Sequence, residues 1–221
     1  MTENPKGIIA CTSWVSRIHG VALTLYSLVK QCHGFNVVLT LSSDEFPNKE
    51  DDLPKELRTM NRAGVIRIIW VKKNYKPFKK VLFAMQEYPD LPVISADDDC
   101  LYRYNYAAEL YSAWEKNKKA IVAETVGDGV PWGYATLHPP KQYDIELLLR
   151  IADYCLDHKS YHDDLMFKLY AKHRRIPIIS MNHFTRDVVI FHNGQHGLFE
   201  ERMKRSNDWS VVNAAFSKLY R

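Results

Sequence analysis

The chain has 221 residues, 46% apolar and 25% charged, the balance of a soluble globular protein with one sizeable domain or one domain plus a small extension. No apolar run approaches the ~20 residues of a membrane-spanning helix, and Met1–Lys6 carries an acid with no apolar core after it, unlike a signal peptide. The net charge of +4 comes from short basic clusters interrupted by Glu50-Asp51-Asp52 and Asp97–Asp99, which argues against a nucleic-acid partner. The four cysteines are scattered without a CxxC pair and read as reduced thiols of a cytoplasmic protein.

Strands and helices alternate from the start. Ile8–Cys11 reads as a strand, and Val21, Leu25, Leu28 and Val29 recur at helical spacing until Gly34. Val37–Leu41 is the next strand, followed by a polar loop over 42–52 and a helix from Pro54 to Ala63, ended by Gly64. Ile66–Val71 predicts a strand. Pro77 opens a helix with Phe78, Leu82 and Met85 on its apolar face. The strand Val93–Ala96, a helix over 106–118 and a strand at Ala120–Ala123 follow. Residues 125–140 hold Gly127, Gly129, Pro131, Trp132, Gly133, Tyr134, Pro139 and Pro140, which predicts a substrate-facing loop whose aromatics stack on a sugar or pack in the core. Helices over 145–156 and from Asp163-Asp164, then a strand at Ile176–Ser180, close the regular part. The alternation predicts an α/β fold, a mostly parallel central sheet with helices on both faces.

Asp97-Asp98-Asp99 leave the Val93–Ala96 strand together. Adjacent anions repel, so the position favours a divalent cation with oxygen ligands or open solvent. Carboxyl ends of strands are also where open α/β sheets bind ligands. Neither GxGxxG nor GxxxxGK[ST] is present, so an anionic ligand here needs a metal and lysines in place of a glycine loop.

Four segments stand out together: Thr12-Ser13-Trp14 with Arg17-Ile18; Leu41–Pro47 running on to Glu50 and Asp52-Leu53-Pro54; Tyr75–Lys80; and Ala96–Asp99 with Tyr102. In order and spacing they resemble bacterial GT-A-fold glycosyltransferases, family 2-like, of the lipopolysaccharide or capsule type. The resemblance covers residues 1–125 and continues more loosely through Gly133-Tyr134 and Tyr161–Asp164 to Pro177. It implies a GT-A-like sheet and a DXD motif binding Mn²⁺ or Mg²⁺ against a nucleotide-sugar diphosphate. Asp97 would hold the ribose or the metal's water shell, Asp98 is the ambiguous middle residue, and Asp99 would ligate the metal, with His192 as a later ligand. Thr12, Ser13 and Arg17 fall where such enzymes seat the nucleoside. Lys79 and Lys80, near a helix start, would meet phosphate. Asp163-Asp164 matches an ED-type pair, with Asp164 as the base and Asp163 positioning substrate. The competing readings are a helix cap for the pair, surface charge for Arg17, a solvated basic turn for Lys79 and Lys80, and a surface residue for His192.

The resemblance implies a single catalytic domain over 1–221: a nucleotide-sugar part at 1–125, an acceptor and catalytic part at 126–186, and a lid or C-terminal tail at 187–221. The expected activity is inverting, metal-dependent transfer of a sugar, UDP-linked, to a glycan or lipid-linked acceptor. The alternatives are a non-catalytic nucleotide-sugar or glycan-binding module and, more distantly, a metal-dependent phosphohydrolase. Trp209, Val212, Ala215, Phe216 and Leu219 recur at helical spacing in a basic tail. That stripe docks on the protein's own core or meets an anionic inner membrane as a peripheral contact.

Overall fold

The computed structural model describes residues 1–31, 34–127, 130–181, 188–190 and 208–220, with the backbone alone for 125–134 and 188. Strand β1 (Gly7–Thr12) leads through helix α1 (Val21–Val29) to β2 (Phe35–Ser42). Helix α2 (Lys55–Arg62) leads to β3 (Arg67–Val71), and α3 (Lys79–Glu87) to β4 (Val93–Ala96). After β5 (Cys100–Tyr102) and α4 (Tyr106–Glu115) come β6 (Ile121–Gly127) and β7 (Val130–His138). Helices α5 (Ile145–Asp157) and α6 (Asp163–Arg174), strands β8 (Ile178–Ser180) and β9 (Val188–Ile190), and helix α7 (Asp208–Leu219) complete the described chain. Gly64, with φ of 65°, sits just past α2, a left-handed position that costs a residue without Cβ little.

Seven strands form one sheet in the order β3-β2-β1-β4-β7-β6-β8, and β5 pairs with β9 apart from it. All neighbours in the large sheet are parallel except β7, which runs antiparallel to both β4 and β6. The expected loop over 125–140 is therefore a β6–β7 hairpin, and the far half of β7 lies in the middle of the sheet. Ala135 and Leu137 enter the core on one face while Thr136 and His138 are buried facing the other way. The Ser95 hydroxyl accepts the Thr136 N–H at 3.1 Å and lies 3.3 Å from the Thr136 carbonyl.

Strand alternation divides the core in two. Ile9, Cys11, Val37, Leu39, Leu41, Ile94 and Ala96 pack under α1 and α4. Ile8, Ala10, Val38 and Val93 pack under α3, α5, α6 and α7. The apolar stripe of α7 joins the second layer through fully buried Val212, Ala215 and Phe216, so it docks on the protein's own core, whereas Trp209 stays 47% exposed. Among the described residues no helix is long and apolar enough to cross a membrane.

Candidate active site

Chain direction creates the site. From β1 the sheet grows one way to β2 and β3 and the other way to β4, so β1 and β4 are adjacent while their connections diverge. The carboxyl ends of two such strands flank a crevice. Thr12-Ser13 leave β1 there and Asp97–Asp99 leave β4, with Cys11 registered against Ala96.

Past Ala96, where β4 ends, the turn sends the acidic residues to different walls. Asp98 lies on the α1 side. Its Oδ2 accepts the Ser13 hydroxyl at 2.7 Å, its Oδ1 accepts Arg17 at 2.7 Å, and its carbonyl accepts the Thr24 hydroxyl at 3.0 Å. Asp98 is 9% exposed. Arg17 also reaches Asp99 Oδ2 at 3.0 Å, with 18% of its side chain exposed, which rules out the reading of Arg17 as a surface charge. Thr12 turns away and donates to the Thr40 carbonyl at 2.8 Å.

Asp97 lies on the α3 and α6 side. Its backbone N–H donates to the Tyr102 hydroxyl at 2.8 Å, which orients the turn after β4. Its Oδ1 meets Lys80 Nζ at 2.9 Å, and the same ammonium lies 3.6 Å from Asp163 Oδ2. Two acidic motifs some 65 positions apart in sequence thus share one buried cation. Burial by itself would lower the Lys80 pKa; Asp97, Asp163 and Asp164 outweigh it and hold the ammonium well above the ordinary lysine value. With 41% of its side chain exposed, Asp97 remains open to a ligand.

Lys79 and Lys80 do not act as a pair, because successive helix positions point about 100° apart. Lys79 is turned inward, 2% exposed, donating to Asn74 Oδ1 at 3.0 Å with Glu45 Oε2 at 3.5 Å. Burial lowers its pKa, and Glu45 opposes that. Helix α6 starts without an aspartate cap: the N-cap is His162, whose Nδ1 accepts the Leu165 N–H at 3.4 Å. Asp163 and Asp164 occupy the first turn instead, where the helix dipole favours negative charge.

Sequence reasoning placed Tyr102 with the acidic turn but left out the buried pair Glu124–Tyr106. Glu124, 3% exposed at an irregularity in β6, accepts the Tyr106 hydroxyl at 3.0 Å. Burial, Glu124 and then Asp97 push the Tyr106 pKa up, which places this pair close to the acidic site. An acid directly after the apolar run Ala120–Ala123 was the available signal. His192 lies outside the described residues, as do His196 and the side chains of Trp132 and Tyr134.

The donors suit a hard cation, since Asp97 and Asp99 offer partly exposed carboxylate oxygens. Among the described residues no three His, Cys, Asp or Glu side chains converge on a common point, so beyond Asp97 and Asp99 a metal here would draw its ligands from substrate, water or the residues outside that set.

No protein-family model and no curated protein matches the sequence. Solved structures do. The mannosyltransferase PcManGT from Pyrobaculum calidifontis, in complex with GDP-Man and Mn²⁺, superposes with a TM-score of 0.59 over 98% of this chain and 65% of its own, at 14% identity. S. aureus TarS 1–349 in complex with UDP-GlcNAc gives 0.53 over 95% of this chain and 66% of its own, at 12% identity. A longer TarS structure gives 0.52 over 80% of this chain and 36% of its own, at 15% identity. The chain spans about a third to two thirds of the structures it resembles. At these identities the likeness carries the fold, which is GT-A-like: a mostly parallel central sheet flanked by helices.

Proposed function

We propose that this protein is an inverting, metal-dependent glycosyltransferase of the hexosyltransferase class, moving a sugar from a UDP-linked donor to a glycan or lipid-linked acceptor. One observation carries the reading: Lys80 joins the acidic turn after β4 to the acidic first turn of α6, beside the switch point of a GT-A-like sheet. Two structures of the same fold were solved with nucleotide sugars, one of them with Mn²⁺, which supports a nucleotide-sugar donor and a divalent ion here.

In this reading residues 1–125 hold the donor, 126–186 carry acceptor and catalytic groups, and 187–221 form a lid or C-terminal tail. Thr12, Ser13 and Arg17 shape the wall after β1. Asp97 and Asp99, in the role of a DXD motif, hold Mn²⁺ or Mg²⁺, with His192 as a further ligand. When bound, the ion neutralises the diphosphate and acts as Lewis acid on the leaving group. Lys80 places a positive charge beside that position, where it counts most as negative charge develops. Asp163 lies 3.6 Å from Lys80 and positions substrate. From the likeness to an ED-type pair we assign the base to Asp164, which takes the proton from the attacking acceptor hydroxyl. Lipopolysaccharide or capsule assembly at the cytoplasmic face of the inner membrane, with peripheral contact, fits a lipid-linked acceptor.

Calorimetry with UDP tests the donor site. Binding is expected with Mn²⁺ and its loss is expected in EDTA; equal affinity in both removes the bridging metal. Asp164→Asn is expected to keep UDP affinity and to slow UDP release from a UDP-sugar by on the order of 10²–10⁴. Normal turnover in that variant reassigns the base.

A further inference from the structure

Each carboxylate of Asp97–Asp99 is already met by a cation of the chain itself. Arg17 spans Asp98 and Asp99 at 2.7 and 3.0 Å, and Lys80 meets Asp97 at 2.9 Å. The two cations differ in how firmly they are placed. Arg17 binds an aspartate that is buried and held from its other oxygen by Ser13, so the arginine is locked to the wall after β1. Lys80 has a buried stem and two carboxylates within reach, Asp97 at 2.9 Å and Asp163 at 3.6 Å. Its ammonium can leave Asp97 for Asp163, or for an incoming anion, without losing every partner.

A divalent ion on Asp97 and an ammonium on the same carboxylate repel each other. For charges of two and one held ~4 Å apart, the repulsion amounts to a factor of roughly thirty in binding even at the dielectric constant of water. We propose that Lys80 is a resident counter-cation that keeps Asp97 closed to divalent metal until an anionic ligand draws the ammonium aside, so that metal and nucleotide diphosphate bind as a coupled pair. The identity of the anion rests on the glycosyltransferase reading; the competition between Lys80 and metal for Asp97 does not. Linkage makes the coupling reciprocal: whatever factor the diphosphate adds to metal affinity, the metal adds to diphosphate affinity.

The test measures metal binding and needs no turnover. Mn²⁺ is titrated calorimetrically into the full chain, alone and with saturating UDP, for wild type, Lys80→Met, Lys80→Gln and Lys80→Arg. Methionine keeps the buried stem without the charge, and arginine keeps the charge. Wild type and Lys80→Arg are expected to bind Mn²⁺ weakly alone and about tenfold or more tightly with UDP. The two neutral variants are expected to bind Mn²⁺ alone about tenfold more tightly than wild type, with little further gain from UDP. Neutral variants that bind Mn²⁺ no better than wild type overturn the proposal. So does failure of both to fold in millimolar Mn²⁺, because a divalent ion would then be unable to replace the ammonium. UDP that does not bind the wild type sinks the glycosyltransferase reading alone, and a gain in Mn²⁺ affinity in the neutral variants would still stand.

Discussion

Replacing Asp98 by alanine separates a wall-building aspartate from one that faces ligand. Its carboxylate accepts Ser13 and Arg17, each at 2.7 Å, with 10% of its own side chain exposed and 18% of Arg17's. Hydrogen bonds to a charged group contribute about 1.5–3 kcal/mol each. Arg17 keeps Asp99 at 3.0 Å after the change, so its share lies at the low end. The sum, roughly 3–4 kcal/mol, falls in the range for removing one partner of a buried ion pair, and so little exposure leaves little solvent screening to discount. In a domain of this size each kcal/mol moves Tm by about 2–4 °C, so thermal unfolding followed by circular dichroism should show a loss of roughly 6–16 °C. Asp98→Asn, which keeps one acceptor oxygen, should lose about half of that. Asp99→Ala, which removes the second contact of Arg17 and a weak 3.6 Å bond from the Cys100 thiol, should lose the least. A Tm within about 2 °C of wild type for Asp98→Ala, the scale of an ordinary surface substitution, would refute the network as a structural element.

His138 should give the fold an acid-sensitive stability. Burial, with Lys80 nearby, pulls its pKa down to about 3 from 6.5, so the ring stays neutral in the fold while the unfolded chain takes up a proton below about pH 6.5. Its contribution is complete above pH 6.5 and is lost as pH falls toward 3, at about 1.4 kcal/mol per unit. Urea unfolding between pH 6 and 4 should show that slope reduced by one proton in His138→Gln, and identical slopes would exclude the assignment. Phe216→Ala should destabilise by about 3–5 kcal/mol, because the ring is 2% exposed in the layer beneath α5 and α6; a substitution that leaves the urea midpoint unchanged would undock α7. Membrane contact, if α7 makes it, comes from the face of α7 that carries Trp209, over whose indole Lys168 of α6 places its ammonium at 4.4 Å, since the apolar stripe is already used. Trp209→Ala should then reduce co-sedimentation with anionic vesicles at low salt, and a wild-type chain that stays in the supernatant ends the membrane proposal.

Much of this fold is legible in the sequence, because the strands β1 to β4 are short apolar runs closed by Gly, Pro or charge, and the helices between them carry clear 3.6-residue stripes. The β6–β7 hairpin is illegible for a local reason. Gly127, Gly129, Pro131 and Gly133 crowd the turn and hide the alternation Ala135-Thr136-Leu137-His138 behind them. The structure shows why proline is tolerated there: β4 pairs with Ala135–His138, so Pro131 lies on the part of β7 that, among the described residues, has β6 alone as neighbour. His162 as the cap of α6 is hidden in the same way, since histidine is not among the usual capping residues and two aspartates follow it.

The triplet shows what composition conceals. Three consecutive aspartates look like one anionic site, but β4 ends at Ala96 and the turn that follows parts them. Asp98 turns toward α1 and becomes part of the scaffold with Ser13 and Arg17, and Arg17 also takes Asp99. Asp97 faces α3 and α6 and stays open beside Lys80. The path of that turn separates the roles, and spacing along the chain does not reveal it. On helix α3 the separation is regular: Lys80, one position from Lys79, points at the acidic crevice, while its neighbour is buried against Asn74 and Glu45. The pairing of Lys80 with both Asp97 and Asp163 depends on α3 and α6 meeting over the end of β4, a tertiary fact that no local pattern encodes. That meeting makes one site of two acidic motifs, and it is why the charge of Lys80 is the variable to change first.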